Sequence, residues 1–335
     1  GLCALHDGRK LTKDSRRYRE TKALLPRFRE YESRHYVVLS NAKASWSREQ
    51  SQRLERAHHQ FERYCRRLNL RPQPLRHKLV CLLFKSRDEY ASFAAKHDRM
   101  TAQWVYGYYA PRGDRIVLFD GEREEGADDF ARARTIATTI HEAIHQLHYH
   151  TRIQTVHVQY PLWIAEGIAT AFETENPNHA FGPEHDYGPR RRRFENLLEK
   201  DAIVPLKQLV SFERMPSDDP RAVHAIYCES YALVTWLARN RRADLVDYLG
   251  RMLREPPGRP GEQRHLKIFI ESFGDPDLVQ AAWLRDEEIA LAEARLTRDP
   301  LEDERLLAFL AWEDASLGCP GHDVASVIAE VEEPQ

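Results

Sequence analysis

Long apolar runs are missing from this 335-residue chain. None approaches the 18 or so residues that a membrane-spanning helix needs, so no transmembrane segment is expected. Cysteine is scarce, with five residues at positions 3, 65, 81, 228 and 319. They are odd in number, far apart, and form no C-x-x-C pair. That excludes a cysteine zinc site and a dense disulfide framework, while one or two disulfides stay open. An excess of charge of one sign is also absent: 50 Lys and Arg face 52 Asp and Glu, for a net charge of −2. Such a balance gives no reason to expect nucleic acid or an anionic membrane as partner. Internal repeats and low-complexity tracts are lacking too.

What the chain does have is core material. Hydrophobic residues make up 42%, with six Trp and thirteen Phe, enough for a sizeable folded interior. The length fits one large two-lobed domain or two domains. Residues 1–35 are charged and weakly patterned, and read as an N-terminal extension. Residues 36–150 read as an α/β lobe, 151–285 as a helical lobe, and 286–335 as a helical tail. Tyr36 to Ser40 and Leu79 to Phe84 have strand composition. Ser47 is expected to open a helix with Gln50 as its capping-box partner, and Ser86 another with Glu89. Val105 to Asp120 read as a hairpin around Pro111-Arg112-Gly113-Asp114. A helix from about Asp128 carries an apolar stripe at Phe130, Ala133, Ala137, Ile140, Ile144 and Leu147. The chain starts at Gly1 instead of Met, as loss of a signal peptide or an added cloning residue would leave it. Export is thus an open expectation and the compartment unassigned.

The second half of that helix holds His141-Glu142-Ala143-Ile144-His145. Positions i and i+4 share a helix face, so both imidazoles reach one metal ion. Glu142 projects about 100° round the helix and stands beside the ion's water, where a general base is needed. A catalytic zinc takes three protein ligands and keeps one open position. Glu166, 21 residues beyond His145 on a second predicted helix, is the natural third. Thr170 and Glu173 share its face, placing either to accept a hydrogen bond from a ligand imidazole and fix its tautomer. Small residues at Ala165, Gly167 and Ala169 would let this helix approach the first. A plain structural role is the competing account for Glu166: a cap, or a pair with a surface arginine.

These residues carry a resemblance. His141-Glu142-x-x-His145 followed by Trp163-x-x-Glu166-Gly167-x-Ala169 resembles the gluzincin metallopeptidases. More narrowly it is similar to the peptidase-MA-like proteins and to the domain of unknown function DUF1570. The flanks at Leu83-Phe84, Ser86 to Tyr90 and Gly107-Tyr108 resemble it as well, over roughly residues 36–250. The resemblance implies an α+β fold of zincin type, a mixed sheet over the metal-binding helix with a helical lobe below. It implies Zn²⁺ as cofactor and a peptide or protein substrate, extended along an edge strand formed by Arg115 to Asp120 or the preceding strand. It also implies an oxyanion-steadying residue in the helical lobe. The family's Tyr-x-x-Ser pattern matches Tyr227-Cys228-Glu229-Ser230 and points to Tyr227, with Tyr231 and His224 as substitutes and a core tyrosine as the competing account. The chain departs from the best-studied members at Thr170, where they carry an acidic residue. A zincin that has lost catalysis and binds peptides or partner proteins is the alternative, and the intact Glu142 argues against it. His148, His150 and His157 read as surface or supporting residues. Arg190 to Arg193 read as the solvated start of a helix, with one of them entering the cleft as a minority reading. His185, Asp186 and Tyr187 are placed in a loop lining the site.

Overall fold

The computed structural model describes residues 10–101, 105–123 and 129–317. Cys3 and Cys319 lie outside them, and Cys65, Cys81 and Cys228 are buried and form no disulfide among the described residues. Contacts divide the chain into two compact units, Gly1–Val156 with Phe172–Gly182 and His157–Ala171 with Pro183–Gln335. The fold is mixed α+β, mostly helical, with one five-stranded mixed sheet. Among the described residues no helix is long and apolar enough to cross a membrane.

The first unit runs α1 (Arg16–Leu24), β1 (Arg29–Glu32), β2 (Tyr36–Ser40), α2 (Ala44–Arg67), β3 (Leu79–Phe84), α3 (Arg87–Phe93), β4 (Gly107–Ala110), β5 (Arg115–Phe119) and α4 (Asp129–His150). Strand order is β1-β2-β3-β5-β4, with β2, β3 and β5 parallel and the two edge strands antiparallel. Every residue of β2, β3, β4 and β5 is buried, which is why β2 and β3 read as unbroken apolar runs and not as alternating ones. Side chains alternate across β5. Leu118 turns toward Thr138 of α4, both lying where a Cβ on Gly107 would sit. Phe119 turns the other way, its ring 5.1 Å from Tyr90 of α3. Helices therefore cover both faces, α4 on one and α3 on the other.

Two local readings change here. The segment taken as an extension supplies β1, paired with β2 from Arg29↔Ser40 to Glu32↔Val37. An edge strand with the sequence Arg-Glu-Tyr-Glu needs no apolar alternation, and its charges keep the edge from pairing with other chains. Helix α2 begins three residues before Ser47. The Ser47 hydroxyl bonds back to the Lys43 carbonyl at 2.9 Å instead of capping. Ser86 does cap α3, its Oγ accepting from the Glu89 N–H.

The second unit contains α5 (Leu162–Ala171), α6 (Gly188–Glu199), the short α7 (Leu206–Leu209), α8 (Pro220–Asn240), α9 (Arg242–Met252), α10 (Glu262–Phe273), α11 (Pro276–Thr297) and α12 (Pro300–Leu317). Helix α8 starts at Pro220 because Asp219 caps it and Pro220 fills its first turn, the position proline tolerates best. All ten residues of α5 are buried. Trp163 forms the centre of an aromatic core, its ring 5.0 Å from Tyr248 and 5.8 Å from Phe269. A Cβ on Gly167 would stand 2.6 Å from the Ser230 carbonyl oxygen of α8, so this small residue serves the packing of α5 on α8.

Candidate metal centre

Helix α4 carries the motif where its stripe passes into the interior. Ile140, Ala143, Ile144 and Leu147 are fully buried and hold the helix on the sheet. That fixes His141, Glu142 and His145 on the flank left over. His141 and His145 bring their Nε2 atoms to 3.1 Å, one turn apart as the i, i+4 spacing requires. The other ring nitrogen of His141, Nδ1, lies 3.0 Å from Glu173 Oε1, and both side chains are buried. With Glu173 ionised, and so only an acceptor, Nδ1 would carry the proton and Nε2 would keep its lone pair. Thr170, the other residue considered for this task, turns its hydroxyl to the Glu166 and Gly167 carbonyls at 2.8 and 3.0 Å.

Glu142 is set by the sheet edge. Its Oε2 accepts the Tyr109 backbone N–H of β4 at 2.7 Å. β4 is thus the edge strand beside the motif, while β5, the other strand considered, pairs on both sides. Glu166 sits in the middle of α5 and is buried. His141, His145 and Glu166 together form a group whose ligand atoms all lie within 4.8 Å of one another.

The remaining candidates have other surroundings. Tyr227 is half-buried on α8, with the Arg190 guanidinium 5.6 Å from its ring centre. Tyr231 is buried, and its hydroxyl accepts the Tyr187 N–H at 2.9 Å and donates toward Asp186 at 3.4 Å. Asp186 also accepts from Arg239 at 2.8 Å. The loop at Asp186 and Tyr187 is therefore tied to α8 by these bonds, a structural task that its sequence did not announce. His224 is buried on α8.

The arginine run is not a solvated face. Arg190 is buried. Arg191 pairs with Glu287 of α11, Arg192 with Glu195 at 3.4 Å, and Arg193 with Glu313 and Asp314 of α12 at 3.0 and 2.8 Å. Acidic partners far along the chain make this an inter-helix lock, which local composition cannot reveal. His148 also departs from a surface reading: it is fully buried, edge-on to Phe61 at 5.1 Å. Burial, with the His145 ring nearby, lowers its pKa to about 3, so it stays neutral.

Fold and site together define a mixed α+β protein in which helix α4 presents two histidines and a glutamate beside a five-stranded mixed sheet. Residues 135–258, a little over a third of the chain, match the model of a protein family of unknown function, DUF1570. That stretch starts inside α4 and takes in His141, Glu142, His145, Glu166, Glu173 and Tyr227. No curated protein matches the chain.

Proposed function

We propose that this chain is a zinc-dependent hydrolase, a metallopeptidase of gluzincin type with a zincin-like fold. The observation that carries the reading is the group His141, His145 and Glu166, two imidazoles and one carboxylate within 4.8 Å of one another, with Glu142 next to the first ligand. Two nitrogens and one oxygen suit zinc. Their spacing supports this: two nitrogens about 2.05 Å from a tetrahedral ion stand about 3.3 Å apart, close to the 3.1 Å found here. Three protein ligands leave one position for water.

When bound, the cation would acidify a water and polarise the scissile carbonyl. The chain's own residues do the rest. Glu173 holds the proton on His141 Nδ1 and so keeps Nε2 available. Tyr109 N–H holds Glu142 Oε2 and leaves Oε1 to accept the proton of the attacking water and pass it to the leaving nitrogen. Tyr227 is the candidate donor to the developing oxyanion. An extended peptide adding to the β4 edge would run past Glu142, which favours peptide over other amides.

Metal analysis after equilibration with zinc and removal of excess is expected to give about one zinc per chain, and none for His141→Ala. A wild-type chain that stays metal-free sinks the reading. A screen of purified protein against peptide and unfolded-protein libraries then tests hydrolysis; zinc bound without cleavage would leave a binding module.

A further inference from the structure

Tyr109 is tied to α4 at two points directly and at a third through Asp114. Its N–H bonds Glu142 Oε2 at 2.7 Å. Its ring stacks on Tyr149 with centroids 5.8 Å apart and planes 22° from parallel. Its hydroxyl donates to Asp114 Oδ1 at 3.0 Å, and the same oxygen receives His150 Nε2 at 2.6 Å. Glu142, Tyr149 and His150 lie seven and eight residues apart on one helix, about two turns, or roughly 10 Å along its axis. The strand geometry explains the reach. Tyr109 pairs with Ile116, two residues before Leu118, so its side chain shares Leu118's α4 face while its N–H leaves the sheet edge.

Asp114 is the hinge pin of this arrangement. It sits in the β4–β5 turn at φ +50°, a left-handed conformation that aspartate adopts more readily than most residues. Burial works to raise its carboxyl, but the bonds from His150 and Tyr109 outweigh that and hold it below the usual range. It is therefore an ionised acceptor, and His150 Nε2 must be a donor.

We propose that Asp114 and His150 are positioning residues for Glu142. They act through Tyr109, fixing the depth of the β4 edge against α4 so that its N–H holds one Glu142 oxygen and leaves the other for the proton. The role assigned to Glu142 rests on the hydrolase reading; the clamp itself does not.

The test therefore has two arms. In the metal-free protein, hydrogen exchange of the β4 peptide containing Tyr109 is followed by mass spectrometry. Loss of one hydrogen bond in the clamp is expected to speed exchange of the Tyr109 amide about fivefold in His150→Leu and in Tyr109→Phe. His150→Gln, which still donates an N–H to Asp114, should stay near wild type. In the zinc-loaded protein, His150→Leu should lower kcat about fivefold or more with KM and zinc content unchanged, and His150→Gln should restore it. Unchanged exchange in a folded His150→Leu or Tyr109→Phe overturns the clamp. Exchange that responds while kcat does not overturns the positioning role. A wild-type chain without hydrolysis, in which exchange still responds, removes the hydrolase reading and the role of Glu142 but keeps the clamp. Should His150→Leu fail to fold, Tyr109→Phe and His150→Gln decide both arms.

Discussion

Replacing Glu173 by alanine isolates one contact of the proposed centre. Glu173 lies 3.0 Å from Nδ1 of His141, the ring nitrogen turned away from His145, and is buried. Supporting carboxylates of this kind are worth about 10- to 100-fold in metal affinity, or about 1.4–2.7 kcal/mol. The loss has a stability readout. With free zinc 100-fold above the wild-type dissociation constant, binding stabilises the fold by about 2.7 kcal/mol. At 10- to 100-fold weaker affinity the same zinc gives only about 1.4 to 0.4 kcal/mol. For a unit of this size, each kcal/mol moves the melting temperature by about 2–4 °C. Wild type should therefore gain about 5–10 °C on zinc addition, and Glu173→Ala about 1–5 °C. Competition against a chromophoric chelator gives the affinities directly. Glu173→Gln is the internal control, because its carbonyl oxygen still accepts from Nδ1–H but its charge is gone, so it should fall between the two. Affinity within twofold of wild type in Glu173→Ala, with an undiminished zinc-dependent rise in Tm, refutes the assignment of Glu173 to His141.

Glu142→Gln should keep zinc and lower hydrolysis by about 10²- to 10⁴-fold, the usual share of a general base; zinc content and turnover measured on one preparation check it, and retained activity removes Glu142 from the mechanism. Gly167→Ala should destabilise by about 2–3 kcal/mol in urea unfolding, because the new methyl meets the Ser230 carbonyl at 2.6 Å and Val234 Cγ2 at 2.7 Å, and overpacking against backbone outweighs the gain in helix propensity. Glu229→Gln should flatten the alkaline side of the stability curve. Burial pushes the Glu229 carboxyl up to about 8, with the Val204 N–H pulling the other way. The folded chain thus holds a proton that the unfolded chain releases near pH 4.3. Its stabilising effect is full below that pH and is lost as pH rises to about 8. The variant should gain on wild type by several degrees of Tm at pH 8.5 and by little at pH 4; parallel curves would refute the shift.

The sheet was legible where burial is uniform. Leu79 to Phe84 read as a strand, and the structure buries all six of its apolar residues, as suits a layer covered on both faces. Likewise Ser86 announced α3, since its hydroxyl has a local task that a sequence displays. Serine at position 47 offered the same signal and the structure spends it differently, because the chain leaves β2 already coiling at Ala44. Strand β1 escaped notice for a physical reason: an edge strand needs partners on one side only, and its charged residues look like a linker. The arginines at 190–193 were misleading in the opposite way. Their acids stand about 100 residues and more away, at Glu287, Glu313 and Asp314. Asp114 and His150 carried no readable signal, since neither their hydrogen bond nor the turn conformation of Asp114 has a spacing that marks it.

Helix α4 buries more polar groups than a packing helix should, and sorting them isolates the centre. Thr135 and Thr139 return their hydroxyls to carbonyls one turn back, at 2.9 and 2.7 Å, and Gln146 donates to the Val80 carbonyl of β3. His150 serves Asp114, and neutral His148 is accommodated by Phe61 at the expense of its ring nitrogens, which have no hydrogen-bond partner. These are costs that a fold absorbs for packing. The facing Nε2 atoms of His141 and His145 are of another kind. An ionised Glu173 would hold the proton of His141 on Nδ1 and leave its Nε2 an acceptor. A proton on His145 Nε2 would satisfy that pair of nitrogens alone, whereas the proposed cation would also engage the Glu166 ligand atom in the same 4.8 Å group. The two cases separate when zinc is titrated into the metal-free protein. Bound zinc would shift both imidazole Nε2 resonances in nitrogen NMR, and Glu166→Gln would weaken that binding while leaving the histidine pair intact; zinc affinity indifferent to Glu166 would mean a protonated pair and no three-ligand centre.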